Sequence, residues 1–174
     1  MTALIVTESL FGNTLAIAEA IGDGIAEVQG AAMVRVLHAS EAPAVLPAEV
    51  DLLVVGAPTH LLSLPNAGSR KDAEIRGALL GQHTGQHTGV REWIDAVAIP
   101  TGLRVATFDT SIPSRVGRGT AAGAAARALR QRGADTTVGP SFFVTGMEGP
   151  LADGELGRAT AWGRELANEM AKIS

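Results

Sequence analysis

The sequence predicts an α/β domain: a doubly wound, five-stranded parallel sheet of order 2-1-3-4-5 with helices on both faces. Three observations predict it. Short, nearly unbroken aliphatic runs at residues 3–7 and 52–57 read as strands buried on both faces. Other stretches carry apolar residues at spacings of three and four, the pattern of a helix with one buried stripe. Strand and helix alternate along the chain, which implies parallel crossovers. With 174 residues, 46% of them hydrophobic and 18% charged, the chain suits one domain over residues 1–174 with one core.

The elements follow in order. Residues 3–7 are the first strand and 8–13 a loop. A helix starts at Thr14, its stripe formed by Ala18, Ile21, Ile25 and Val28, and Gly30 closes it. Residues 33–37 are the second strand, and Pro43 and Pro47 fall in the connection after it. Residues 52–57 are the central strand, ended by Pro58. A long polar region follows, and then a short helix at 90–98. Residues 103–108 are the fourth strand, and 120–132 an Ala-rich helix stopped by Gly133. Residues 141–145 are the fifth strand. The last helix starts near Asp153, a good N-cap, with a buried stripe of Ala159, Trp162, Leu166, Met170 and Ile173.

Composition removes several function classes. A net charge of -4 gives no basic field for nucleic acid. The absence of cysteine excludes disulfides, thiolate metal sites and a cysteine nucleophile. No apolar run reaches the ~20 residues that span a bilayer. The first residues lack the basic flank and the length of a signal peptide. The expectation is a cytoplasmic protein that engages neither membrane nor nucleic acid. His83 and His87 have metal-ligand spacing on a helix, but the glycines of the Gly-Gln-His-Thr repeat at 81–88 disfavour a helix there. No metal is expected, and the repeat reads as a surface loop. No Gly-x-Ser-x-Gly elbow marks a hydrolase.

In such sheets ligands bind beyond the carboxyl ends of the strands, where the strand order reverses. The loops after the first, third and fourth strands therefore carry the site. The first contains Ser9, Leu10, Phe11, Gly12, Asn13 and Thr14, and then a helix begins. A helix start exposes unpaired N–H groups and partial positive charge, so a phosphate can sit there without Lys or Arg. Ser9, Asn13 and Thr14 add short polar side chains, and Gly12 lets the backbone approach closely. A Walker-type loop would need a lysine, so a terminal monophosphate is the better fit. The competing reading is a plain strand-to-helix turn with an N-cap.

The stretch Thr7-Glu-Ser-Leu-Phe-Gly-Asn-Thr14 resembles the FMN-phosphate loop of the flavodoxin family, a hydroxyl-rich turn ending in Gly-Asn-Thr. The segment Val55-Gly-Ala-Pro-Thr-His60 resembles the family's second flavin loop, and Ala106-Thr-Phe-Asp-Thr-Ser111 its third. The resemblance covers the whole chain and is similar to the short-chain branch. It implies a flavodoxin-like fold, FMN as cofactor, and flavin contacts at Pro58, Thr59, His60, Leu61, Phe108, Asp109, Thr110 and Ser111. The chain departs from the family in its aromatics: it has no tyrosine, its two tryptophans fall in predicted helices, and His60 stands where a tryptophan is common. An imidazole stacks with less area than an indole, so the ring would be looser or more exposed.

The resemblance implies electron transfer through bound FMN, with a redox partner protein or a small electron acceptor. No catalytic side chain is required. The alternative on the same scaffold is an enzyme that reduces quinones with NAD(P)H. Enzymes of that kind dimerise to complete a pocket, and residues 63–87 would supply a homodimer interface. The third reading is a binding or regulatory module without flavin. Several residues have plainer readings beside these. His60 is otherwise a loop histidine, Asp109 a turn-capping carboxylate, Phe108 a core ring, and Arg115 and Arg118 solvated charge rather than anion-steering groups. The run Gly117 to Ala122 imitates a dinucleotide fingerprint but stands too far from its strand.

Overall fold

β1 (Thr2–Thr7), β2 (Val34–His38), β3 (Val50–Pro58), β4 (Arg104–Ser111) and β5 (Asp135–Phe143) form one parallel sheet in the order β2-β1-β3-β4-β5. The structure is a computed structural model that describes residues 1–79, 88–113 and 119–172. β1, β3 and β4 bury nearly every side chain because helices cover both faces. α1 (Asn13–Gln29) and α5 (Glu155–Ala171) pack on one face, over Ile5, Ile17, Ile21, Val54, Phe108 and Phe142. α3 (Val90–Ala96) and α4 (Ala121–Gln131) pack on the other, over Leu53, Val55, Trp93, Ile94 and Leu129. Each such side chain contributes roughly 1.5–3 kcal/mol when fully buried. The predicted fold class and strand order are those of the structure.

One helix was not read from the sequence. α2 (Ala67–Leu79) occupies part of the stretch read as a long polar region without an assigned element. Its buried positions are Ser69, Arg70, Ala73 and Gly77, so no apolar stripe announces it. Asn66 starts it: the Asn66 Oδ1 accepts the Ser69 amide at 3.0 Å, the pattern of an N-cap.

The last strand and helix are also shifted from expectation. β5 begins at Asp135 rather than Ser141, although Gly139 and Pro140 look like a break. β5 lies at the sheet edge, where Pro is tolerated, and the ladder to β4 steps from Thr107–Val138 to Asp109–Ser141. Two residues thus bulge opposite Phe108. α5 is capped by Gly154 rather than Asp153. Its buried line is Ala159, Gly163 and Ala167, while Trp162, Leu166 and Met170 only partly bury against the core. The rotation follows from a close crossing with α1: a Cβ on Gly163 would meet the Ile21 carbonyl oxygen at 2.2 Å. Ile173 lies outside the described residues, as do His83, His87, Arg115, Gly117 and Arg118. Most of the Gly-Gln-His-Thr repeat and the last part of the suggested 63–87 interface fall outside them too.

Candidate functional site

Register brings the three loops together. Thr7 pairs with Gly56 and Gly56 with Phe108, so β1 ends first and β3 and β4 run on past it to Pro58 and Ser111, on the same side of the sheet. Beyond those ends lies a shallow cleft of about 140 Å³, open to solvent. Leu10, Phe11, Asn13 and Thr14 line it from the first loop, and Pro58, Thr59 and His60 from the second. Thr110, Ser111 and Ile112 line it from the end of β4, and Val144 and Met147 from beyond β5.

The first loop is built mainly by its backbone. Gly12 caps α1 at φ +84°, in the left-handed region that glycine adopts freely. It makes no side-chain cap, and no acidic residue occupies the first turn. Ser9 is buried, and its Oγ accepts the Leu15 amide at 3.2 Å. The Thr14 hydroxyl meets the Thr110 hydroxyl at 2.7 Å, which ties the first loop to β4. Asn13 donates through Nδ2 to the Glu148 carbonyl oxygen at 3.1 Å. Among the described residues, the amides of Asn13 and Thr14 form no hydrogen bond. The polar side chains brace the loop, and the free donors are main-chain groups.

The second loop makes a tight turn in which His60 and Ser63 exchange backbone hydrogen bonds of 2.9 and 3.1 Å. Leu61 and Leu62 hold positive φ values of 47° and 63°, the geometry of a two-residue hairpin turn. Leu61 stands in solvent, 85% exposed, and does not line the cleft. The His60 ring is oriented by Ser69, whose Oγ lies 2.9 Å from Nδ1. Arg91 donates to the carbonyl oxygens of Leu64 and Pro65, which fastens the loop to α3.

β4 sends alternate side chains to opposite faces. Thr110 reaches the cleft, whereas Phe108 enters the core and packs edge-on against Phe142 and Trp162. Asp109 points the other way, wholly buried, beneath the first turn of α4. Its Oδ2 accepts the Ala122 amide at 3.3 Å, and its Oδ1 has no hydrogen-bond partner among the described residues. Burial pushes the Asp109 carboxyl above its ordinary range, and the neighbouring Ser141, Ala122, Thr120 and Thr59 draw it only partly back. Thr59 Oγ1 takes the Ala121 amide at 2.8 Å and Thr120 Oγ1 the Gly123 amide at 3.0 Å.

Sequence reasoning missed the fourth wall of the cleft. Ser69, Asp72, Ala73 and Arg76 of α2 line it. Arg76 reaches Glu148 at 3.9 Å across the opening. It also missed what Glu8 does. Glu8 is wholly buried beside Ser9. Its Oε1 takes Arg70 at 3.2 Å and its Oε2 the Val90 amide at 2.9 Å. Arg70 also donates to Glu92 at 2.6 Å, and Glu92 accepts the Gly89 amide at 3.0 Å. Burial raises the Glu8 carboxyl above its ordinary range, against the pull of Val90 and Arg70. Burial also opposes charge on Glu92, but Arg70 and the Gly89 amide hold that carboxyl below its ordinary range.

Among the described residues no His, Cys, Asp and Glu group is placed to hold a metal ion, and no helix is long and apolar enough to cross a membrane.

No protein-family model and no curated protein sequence matches the chain. Solved structures do. A flavodoxin from the domain Archaea is similar over 98% of this chain and 99% of its own, at 22% identity and a TM-score of 0.63. Oxidised Flavodoxin 2 from Bacillus cereus matches over the whole of both chains, at 16% identity and a TM-score of 0.64. A flavodoxin, WrbA-like protein from Agrobacterium tumefaciens matches over 99% of each, at 16% identity and a TM-score of 0.58. Together with the 2-1-3-4-5 sheet and its two helical layers, these likenesses identify the fold of the chain as flavodoxin-like.

Proposed function

We propose that the chain is an FMN-binding redox protein that transfers electrons through the flavin. The observation that carries this reading is the start of α1. Two amides without partners, a glycine cap and a first turn free of acidic residues open on the cleft at the point where strand order reverses. A terminal phosphate fits such a site without a basic side chain. The backbone of residues 9–14 would hold the phosphate, with Ser9 and Thr14 bracing the loop from within. Pro58, Thr59 and His60 on one side and Thr110 and Ser111 on the other would flank the ring. FMN supplies one- and two-electron chemistry when bound. The chain binds it, orients His60 through Ser69, and leaves the cleft mouth open to a partner protein or a small acceptor.

Titration of the apoprotein with FMN, FAD and riboflavin, followed by flavin fluorescence, tests this. FMN is expected to bind tightest. Equal affinity for FMN and riboflavin would remove the phosphate from the α1 terminus. A colourless protein that takes up none of the three is the flavin-free module instead.

One observation favours the reductase reading. Phe11 and His60 are the only aromatic rings among the described residues that line the cleft, so an FMN ring there would keep a face open to hydride from NAD(P)H. Steady-state NAD(P)H oxidation by the FMN-loaded protein with a quinone acceptor separates that enzyme from an electron carrier.

A further inference from the structure

We infer that Arg70 is a positioning residue for the phosphate loop: by pairing with Glu8 it locks the first turn of α2 onto that loop, so that anion binding at α1 and the seating of α2 are coupled. The inference rests on the FMN reading above and names the part of the chain that sets its affinity.

The connection is direct in the chain. Glu8 is one residue from Ser9, and both of its carboxylate oxygens are spoken for by residues outside the loop. Arg70 comes from α2 and the Val90 amide from the start of α3. A carboxylate with 0% exposure is stable only with partners of this kind. Arg70 is itself buried at 6% exposure, and its second nitrogen is held by Glu92. The space is closed around the pair. A Cβ on Gly89 would lie 2.3 Å from Glu8 Oε2 and 2.4 Å from an Arg70 nitrogen.

The same turn of α2 grips the second loop. Ser69, the neighbour of Arg70, holds the His60 ring at 2.9 Å. One turn further, Asp72, Ala73 and Arg76 form the cleft wall, and Arg76 reaches Glu148, whose carbonyl oxygen holds Asn13. Arg70 is therefore the fixed point from which α2 reaches both loops. Its charge matters as well as its reach. Without it, Glu8 would place an uncompensated buried negative charge next to a loop meant for an anion.

The test is a ratio. Apoprotein of the wild type, R70K and R70M is titrated with FMN and with riboflavin by fluorescence quenching, and a circular dichroism melt accompanies each. R70M is expected to weaken FMN at least tenfold and riboflavin by less, since riboflavin loses only the ring wall that α2 also holds. The FMN-to-riboflavin preference then falls at least threefold, with R70K between. A helix that merely packs would change both ligands together, and an unchanged or parallel response overturns the inference. Where R70M does not fold, E8Q/R70M removes both charges at once. The lowered FMN-to-riboflavin ratio is expected to persist in it, and a wild-type ratio there overturns positioning.

Amide hydrogen exchange on the wild type needs no variant. FMN is expected to protect the amides of 68–73 and of Val90 more than riboflavin does, and equal protection overturns the coupling. A wild type that binds neither flavin ends both this inference and the FMN reading. A wild type that prefers FMN, with variants that keep its preference, ends this inference alone.

Discussion

The N-termini of α1 and α4 lie at the same end of the sheet and are furnished in opposite ways. α4 has its first amides taken in sequence: Ala121 by Thr59, Ala122 by Asp109 and Gly123 by Thr120. One of the three acceptors is a buried carboxylate. α1 begins at a glycine, with no side-chain cap and two amides that have no partner among the described residues. Both ends carry the same partial charge from the aligned peptides. The difference teaches that a helix start is open to an anion only where the chain has not already supplied one. At the described end of the fingerprint-like run, the amides of Ala121 and Ala122 are already occupied.

The comparison can be broken at four places. The largest effect should come from Arg70→Ala. It strands the Glu8 carboxylate next to the open terminus, and breaking a buried pair this way costs about 3–5 kcal/mol. Urea unfolding measures it, and a loss near zero would mean that Glu8 takes its proton and needs no partner. Gly12→Asp should make α1 resemble α4 by placing a carboxylate at its cap. FMN affinity is expected to fall about a hundredfold, roughly 2.7 kcal/mol, with riboflavin little changed. Global stability should stay within about 1 kcal/mol, since Asp tolerates positive φ better than most residues. Retained FMN binding would show that the anion does not use this terminus.

Thr120→Ala removes one acceptor from α4 and should cost about 1 kcal/mol in thermal or urea unfolding, as for other caps. The smallest effect is expected from Asp109→Asn, within about 1 kcal/mol, because an amide oxygen can still accept from Ala122. Its signature is in pH. The raised Asp109 pKa means that the folded chain holds that proton more tightly than the unfolded one. The contribution to stability is then greatest below about pH 4 and is lost as pH rises toward the folded value. The asparagine variant lacks this loss, so it should gain on the wild type from about pH 4 upward. Parallel stability curves would show that Asp109 stays ionised at no cost.

The two helix ends were not equally legible in the sequence. The start of α1 could be read because its chemistry is local: a buried strand, a short polar turn, a glycine and a helix, all within residues 3–18. The sheet order could be read for the same reason, from apolar runs and the alternation between them. Glu8 could not be read, because its partners lie 62 and 82 residues away. α2 could not be read, because its buried face is made of Ser69, Arg70, Ala73 and Gly77 rather than a stripe of large apolar residues. The cleft wall was lost with it. Strand alternation accounts for Asp109, which points away from Thr110. Phe108 shares the side of Thr110 but lies deeper along β4, among Phe142 and Trp162. Of the four contacts expected at 108–111, Thr110 and Ser111 line the cleft.

The bulge at Gly139 and Pro140 bears on how the molecule keeps to itself. β5 is an outer strand, and an outer strand normally offers a row of amides and carbonyls to any other strand that drifts past. Here the row is broken midway: Pro140 has no amide to offer, and the bulge turns the residues beside it out of step with the ladder. The strand at the opposite edge, β2, is only five residues long. Neither margin gives a second sheet enough regular hydrogen bonds to zip along. Concentrated solutions of the folded chain should therefore resist fibrous aggregation by sheet extension, a safeguard written into the outermost strands.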